Sequence, residues 1–263
     1  MIFLKVFDKD GKLKFNASGK DIQAVYPDSY QEGDKIKIEL IGTDKIAIRL
    51  DETLKESYVY IPGKVYEFPI PFGDKTMAYH PDAWNKTENK ITVRTATDSE
   101  FHSYRNIALN TASVRFNETC FPYAKANFVT RDEPWFEERN SIDGVTESNG
   151  HGAYPYQSYA GGAREDIDYT LYFGQKVELD KIVIYLRADF AEEHDTYWKS
   201  ITAELSEGTK LPLTFVKTGE AQVFTFERSF VTDKIHLTRF KQASFPLSWA
   251  ALTQIEVYGK YLK

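Results

Sequence analysis

Along most of this chain apolar and polar residues alternate with a period of two, the pattern of strands that have one wet face and one dry face. The cleanest run is Lys35-Ile36-Lys37-Ile38-Glu39-Leu40, and the alternation resumes after Gly42-Thr43-Asp44 in Lys45-Ile46-Ala47-Ile48-Arg49-Leu50. Together they predict a hairpin with one solvated face. Further strands are expected over 57–61, 65–70 and 90–96, with Pro62-Gly63, Pro69 and Pro71 as breakers or edge markers. The second half predicts strands over 169–173, 181–188, 201–205, 211–215, 222–227, 234–238 and 253–258. Gly174-Gln175, Glu207-Gly208 and Thr218-Gly219-Glu220 are the expected turns, spaced as in an antiparallel sandwich. No stretch sustains a helical period. The polar segment 97–106 reads as a linker or short helix, so the expectation is an all-β chain of two β-sandwich domains, 1–100 and 101–263.

Composition supports that class. Aromatic residues make up 15% of the chain, with 17 Tyr and 18 Phe, and aromatics favour strands. At 263 residues two domains can each bury a core without covalent staples. Acids number 39 against 33 bases, a formal charge of −6, and no segment concentrates Lys and Arg. Nucleic acid is therefore not an expected partner. Cys120 is the single cysteine, which rules out an internal disulfide and reads first as an inert buried thiol. The apolar start Met1-Ile2-Phe3-Leu4 is broken by Lys5 and lacks the shape of a signal peptide, and no segment has the length of a membrane span. The sequence as written leads to the expectation of a cytoplasmic protein, or an extracellular one had a leader been removed.

Four features, in order, resemble the discoidin-like (coagulation-factor type C) family. Asn106-Ile107-Ala108-Leu109-Asn110 is similar to its opening strand, and Arg139-Asn140-Ser141-Ile142-Asp143-Gly144 to its alanine/asparagine-x-x-Asp-Gly turn. Residues 169–179 followed by Asp180-Lys181-Ile182-Val183-Ile184-Tyr185 resemble its strand, phenylalanine-glycine turn and next strand, and Ile255-Glu256-Val257-Tyr258-Gly259 its final strand. A bacterial, sugar-binding group of the family is resembled more closely, through Gly150-His151-Gly152, Pro155-Tyr156-Gln157-Ser158-Tyr159, Arg187-Ala188-Asp189-Phe190 and Asp195-Thr196-Tyr197-Trp198. That group usually has tryptophan where Tyr159 stands. The resemblance covers about 106–263 and implies a galactose-binding-like jelly roll that binds carbohydrate at its loop edge. It also implies a structural Ca²⁺ held by Asp143 and Glu256, with turn carbonyls and Thr146 or Ser148 completing six to eight oxygen ligands. The plain alternative is an Asx turn at Asp143 and a solvated Glu256.

A sugar offers apolar C–H faces rimmed by hydroxyls, so its site needs an aromatic platform and fixed polar partners. Arg187, Asp189, His194, Tyr197 and Trp198 supply that mixture in one strand-loop-strand segment. Arg187 brings a planar fork for vicinal hydroxyls or a uronate. His151, between two glycines that allow close backbone approach, is expected to face this segment, followed by Tyr154, Tyr156 and Tyr159; Trp135 is a further aromatic candidate. Structural roles stay open beside these: Trp198 as core, because one bulge reverses which of Tyr197 and Trp198 points inward; Arg187 as an ion-pair partner of Asp189 or Asp195; Trp249 as packing under the last strand.

Catalysis is not expected. Glu137-Glu138, Glu192-Glu193 and Asp166-x-Asp168 are acid pairs of the kind glycosidases use, yet neighbouring loop acids are usually just solvated, and no hydrolase, zinc-protease, phosphate-loop or dinucleotide motif occurs. Carbohydrate recognition leads. A sugar-active enzyme with acids between the domains, and a protein-interaction or assembly module, are the alternatives.

Overall fold

Strict alternation gives each early strand one apolar face, and the structure, a computed structural model describing residues 1–189, 196–243 and 248–263, packs those faces together. Strands β1 (Ile2–Phe7), β2 (Leu13–Gly19), β3 (Asp21–Tyr26), β4 (Lys35–Leu40), β5 (Lys45–Arg49), β6 (Ser57–Tyr60), β7 (Val65–Pro69) and β8 (Asn89–Thr95) form two four-stranded antiparallel sheets. Their orders are β2-β1-β4-β7 and β3-β8-β5-β6. Ile2, Leu4, Ile36 and Ile38 from the first sheet share one buried cluster with Ile46, Ile48, Ile91 and Val93 from the second.

The expected β4–β5 hairpin does not form. β4 pairs with β1 and β7, whereas β5 pairs with β6 and β8. The short link between them crosses from one sheet to the other. Alternation specifies which face of a strand is dry but not which strand lies beside it, and here both dry faces meet across the core.

After β8 the polar segment forms a single helical turn, α1 (Asp98–Phe101), begun by a capping box between Thr97 and Glu100. Phe101 at its end is buried in a second core. That core is wrapped by β9 (Arg105–Asn106), β10 (Tyr123–Ala126), β11 (Tyr169–Leu186), β12 (Trp198–Leu205), β13 (Lys210–Thr214), β14 (Gln222–Gln242) and β15 (Leu252–Tyr261). The sheet order is β13-β12-β14-β11-β15-β9, with β10 also on β11. The turn expected at Gly174 is instead an irregularity inside β11: Gly174 has φ +75, and the register with β14 shifts between Tyr172 and Val177. The strands expected over 222–227 and 234–238 are likewise two parts of β14. Such shifts bend long strands, which lets one sheet curl around Leu171, Leu179, Ile184, Ile235, Leu237 and Val257. On β15, a Cβ at Gly259 would lie 2.2 Å from the Glu178 carbonyl oxygen, so only glycine fits beside β11 there.

The two parts of the chain interlock. Tyr60 bridges to Phe121, Lys55 Nζ donates to the Gly144 carbonyl at 2.5 Å, and Ala112 and Cys120 belong to the first core. Burial pushes the Cys120 thiol up to about 12, the state of an unreactive packing residue. Among the described residues no helix is long and apolar enough to cross a membrane.

Candidate functional site

Arg187 leaves the end of β11 with its backbone N–H bonded to the Ala251 carbonyl at 3.2 Å, and the next N–H, of Ala188, reaches the Ser148 carbonyl at 2.7 Å. These bonds fasten the His151 loop beside the end of β11. Arg187 is 3% exposed. Its Nε lies 2.8 Å from Asp189 Oδ1, a close ion pair whose N–H is not aligned as a hydrogen bond, and its terminal nitrogen donates to the Trp249 carbonyl. The other oxygen of Asp189 meets His151 Nδ1. With Nδ1–H directed at the carboxylate, Nε2 of a neutral His151 is left as an acceptor on the half-exposed side of the ring. Arg187, Asp189 and His151 thus form a chain running from the interior to the surface.

The chain borders a small cavity of about 100 Å³ lined by His151, Arg187, Trp249, Arg131, Phe136 and Thr130. Trp249 is 37% exposed. The Arg131 guanidinium lies 5.9 Å from its ring centre and 5.5 Å from that of Phe136, held by paired bonds of 2.8 and 2.7 Å to Glu133. A space this size takes a few water-sized groups, so it accepts one edge of a polar ligand while the tryptophan face stays open. On the other side of the same loop is a wider groove of about 440 Å³ bordered by Glu147, Asn149, Tyr185 and Glu220.

Of the residues picked out from sequence, His151, Arg187 and Asp189 come together, and Tyr156, 37% exposed, covers Gly150 next to His151. Trp198 does not join them. It is 1% exposed and edge-on to Phe240 with ring centres 5.0 Å apart, because the β12–β14 register shifts between Trp198 and Ser200 and turns the indole inward. Tyr197 is only partly buried and packs on that core. Tyr159 is a core residue beside Tyr169, Tyr154 lines a different cavity with His80, and Trp135 packs against Phe136. His194, like Asp195, Glu192 and Glu193, lies outside the described residues. Sequence reasoning weighed Trp249 toward packing and passed over Arg131, which sits at φ +50 ahead of Pro134-Trp135-Phe136; a lone arginine in a loop carries no periodic signal.

The calcium expectation does not fit the donors present. Asp143 Oδ1 accepts the Val145 N–H at 2.8 Å and Oδ2 accepts Gln157 Nε2 at 2.8 Å. The Gly144 carbonyl, one of the turn carbonyls in the expected ligand set, accepts from the Lys55 ammonium. The last strand reaches the turn through Gln254, whose Oε1 accepts the Gly144 N–H at 3.2 Å, while Glu256 accepts the Tyr258 hydroxyl at 3.0 Å. Ser148 Oγ donates to the Gly219 carbonyl at 3.3 Å. Among the described residues no three His, Cys, Asp or Glu side chains gather to hold a metal. Arg139 and Lys55 are the cationic side chains that act on Asp143 in this structure.

Two of the three acid pairs, Glu137-Glu138 and Asp166-x-Asp168, fall within the described residues. Asp166 pairs with Arg164 at 2.5 Å and Asp168 with His236 at 3.0 Å, all in solvent. Glu137 pairs with Arg139 at 3.0 Å. Glu138 is buried, its Oε2 3.6 Å from Arg115 Nε, and burial pushes its carboxyl up to about 7; burial also raises Asp143 to about 6. In the unfolded chain both acids titrate near 4, so between roughly pH 4 and 7 the folded state holds more protons than the unfolded one. Stability is therefore expected to fall, on the order of a few kcal/mol in all, as pH rises from about 4 through 7. Denaturant midpoints across that range check this, with Glu138→Gln and Asp143→Asn flattening the slope.

No protein-family model matches the chain, and no curated protein does. Among solved structures it is similar to chitosan-binding module 1 of a chitosanase/glucanase from Paenibacillus sp., at 16% identity and TM-score 0.40, over 59% of this chain and 99% of that one. It is similar to the family 32 carbohydrate-binding module of C. perfringens NanJ, solved with galactose, at 16% identity and TM-score 0.36, over 51% and 91%. A Streptococcus pneumoniae fucose-binding module matches at 16% identity and TM-score 0.41, over 59% and 97%.

Proposed function

We propose that this protein binds carbohydrate, without chemical change, at the loop edge formed by His151, Asp189, Arg187 and Trp249. The observation that carries the reading is the oriented chain from buried Arg187 through Asp189 to His151, ending beside a partly exposed indole. A carboxylate-fixed histidine and a fixed guanidinium suit the hydroxyl rim of a sugar, and the indole suits its C–H face. Binding without catalysis agrees with the described acid pairs, whose members are buried or paired with arginine or histidine. The reading includes two β-sandwich units, 1–100 and 101–263, of which the second carries the site. A shallow edge buries little ligand surface, so affinity for one sugar is expected between about micromolar and millimolar.

A glycan-array screen of the whole protein tests this. Trp249→Ala is expected to weaken the strongest interaction by about tenfold, the equivalent of about 1.4 kcal/mol, with little change in thermal stability because the ring is already partly in water. A folded protein that binds no glycan, or whose binding ignores Trp249→Ala and His151→Ala alike, would overturn the reading.

A further inference from the structure

One loop bordering the small cavity beside His151 has a backbone that side chains rarely adopt. Arg131 and Asp132 lie consecutively in the left-handed region, at φ +50 and +55, where a Cβ is strained. Neighbouring bonds impose this. Thr130 gives both its N–H and its hydroxyl to the Ala160 carbonyl at 2.8 Å, and Asp132 is held by Arg115. The strain gains the core nothing, because the Arg131 side chain is 57% exposed and an exposed ion pair such as the one with Glu133 adds little to stability. Its effect is to hold a guanidinium at the cavity wall, over the rings of Trp249 and Phe136.

That guanidinium keeps one edge for a ligand. Glu133 accepts from Nε and Nη2 on one side of the fork, and Nη1 makes no hydrogen bond among the described residues. The edge formed by Nη1 and the second Nη2 hydrogen is therefore left to solvent, and a carboxylate matches it with two parallel bonds. Among the described residues no carboxylate lines the cavity. The two acids nearby stand behind their partners, Glu133 on the far edge of Arg131 and Asp189 on Nδ1 of His151. An entering group thus meets donors from Arg131 and, in its protonated form, from His151, which is 47% exposed at its side chain. A hydroxyl placed there exchanges one bond to water for another, whereas a carboxylate gains two charge-assisted bonds to a group already held in position. Space sets the remaining limit: about 100 Å³ admits a group of a few heavy atoms, the size of a carboxylate and smaller than a sugar ring.

We infer that the carbohydrate bound at this edge carries a carboxylate, as a uronate does, with the acid group on the free edge of Arg131 and the sugar ring on the Trp249 face. The inference rests on the carbohydrate reading of the site and adds the charge of its ligand, with Arg131 as the residue that selects for it.

The test is a glycan array in which each acidic member is present as the free acid, as its methyl ester and with the carboxyl reduced to the alcohol, with sulfated glycans alongside. It is probed with the whole parent protein and with Arg131→Asn. Asparagine tolerates left-handed backbone, so the variant keeps the loop and loses the fork. The expected result is at least one free acid bound about tenfold or more tighter than its ester and its alcohol. Arg131→Asn is expected to remove most of that preference, to change ester and alcohol binding by less than about twofold, and to leave the thermal midpoint where it was, as suits an exposed charge. Esters, alcohols or sulfated glycans bound by the parent as well as the free acids would overturn the acidic ligand whatever the variant does, and would leave the carbohydrate reading standing. A preference for free acids that Arg131→Asn leaves intact would overturn the role given to Arg131. A folded parent that binds no glycan at all would sink the carbohydrate reading and this inference with it.

Discussion

Trp198→Ala is expected to lower the stability of the protein by about 3–5 kcal/mol, the cost of emptying a large aromatic position in a packed core. The ring is 1% exposed and packs edge-on to Phe240 within the cluster that includes Ile201, Leu213 and Ala250. Neighbouring side chains on a curled sheet relax only partly into such a hole. The effect on carbohydrate binding is expected to be indirect, following the folded fraction. Urea denaturation read by fluorescence and far-ultraviolet dichroism gives the first quantity, and titration at a temperature where the variant stays folded gives the second. A Trp198→Ala protein with an unchanged midpoint and no glycan binding would return the indole to the ligand surface.

The case of Trp198 shows what the sequence made legible. Alternation through Ile201, Ala203 and Leu205 marks the dry face of β12, and the structure buries all three. Extended backward, it puts Tyr197 inside, but the register shift beyond Ser200 exchanges the two aromatics. A bulge is a backbone event one residue long and leaves no trace in the pattern. The same limit explains β4 and β5. Their apolar faces were plain, yet pairing is a long-range choice, and the short link between them carries the chain across the core instead of back along one sheet. That His151, Arg187 and Asp189 would lie together was legible, because glycines and a strand end set them in facing loops. That Trp249 and Arg131 lie beside them was not, because it depends on which loops the fold brings side by side. Asp143 makes the turn that an Asp-Gly pair leads one to expect, whereas Gln254 and Lys55, which serve that turn, are a strand residue and a distant loop residue with no local mark.

Arg187 is where stability and recognition are expected to part company most clearly. Arg187→Ala removes a guanidinium that is 3% exposed and leaves Asp189, itself only 9% exposed at its side chain, with its Oδ1 lacking a cation. It also strips a donor from the Trp249 carbonyl. Breaking a buried pair in this way costs about 3–5 kcal/mol, because the surviving charge stays desolvated. Loss of glycan binding in that variant alone would therefore be ambiguous. Arg187→Lys separates the two effects: it keeps one positive charge beside Asp189 but lacks the planar fork, so it cannot hold Asp189 and the Trp249 carbonyl in the same geometry. The expected outcome is a smaller loss of stability, about 1–2 kcal/mol, with glycan affinity down by about ten- to a hundredfold. Because the pair is buried, raising the salt concentration is expected to change neither number much. Calorimetric titration of the two variants and the parent with one array-selected glycan, alongside their thermal midpoints, decides it. Binding by Arg187→Lys equal to the parent would reduce Arg187 to a structural strut and move the recognising groups outward to His151 and Trp249.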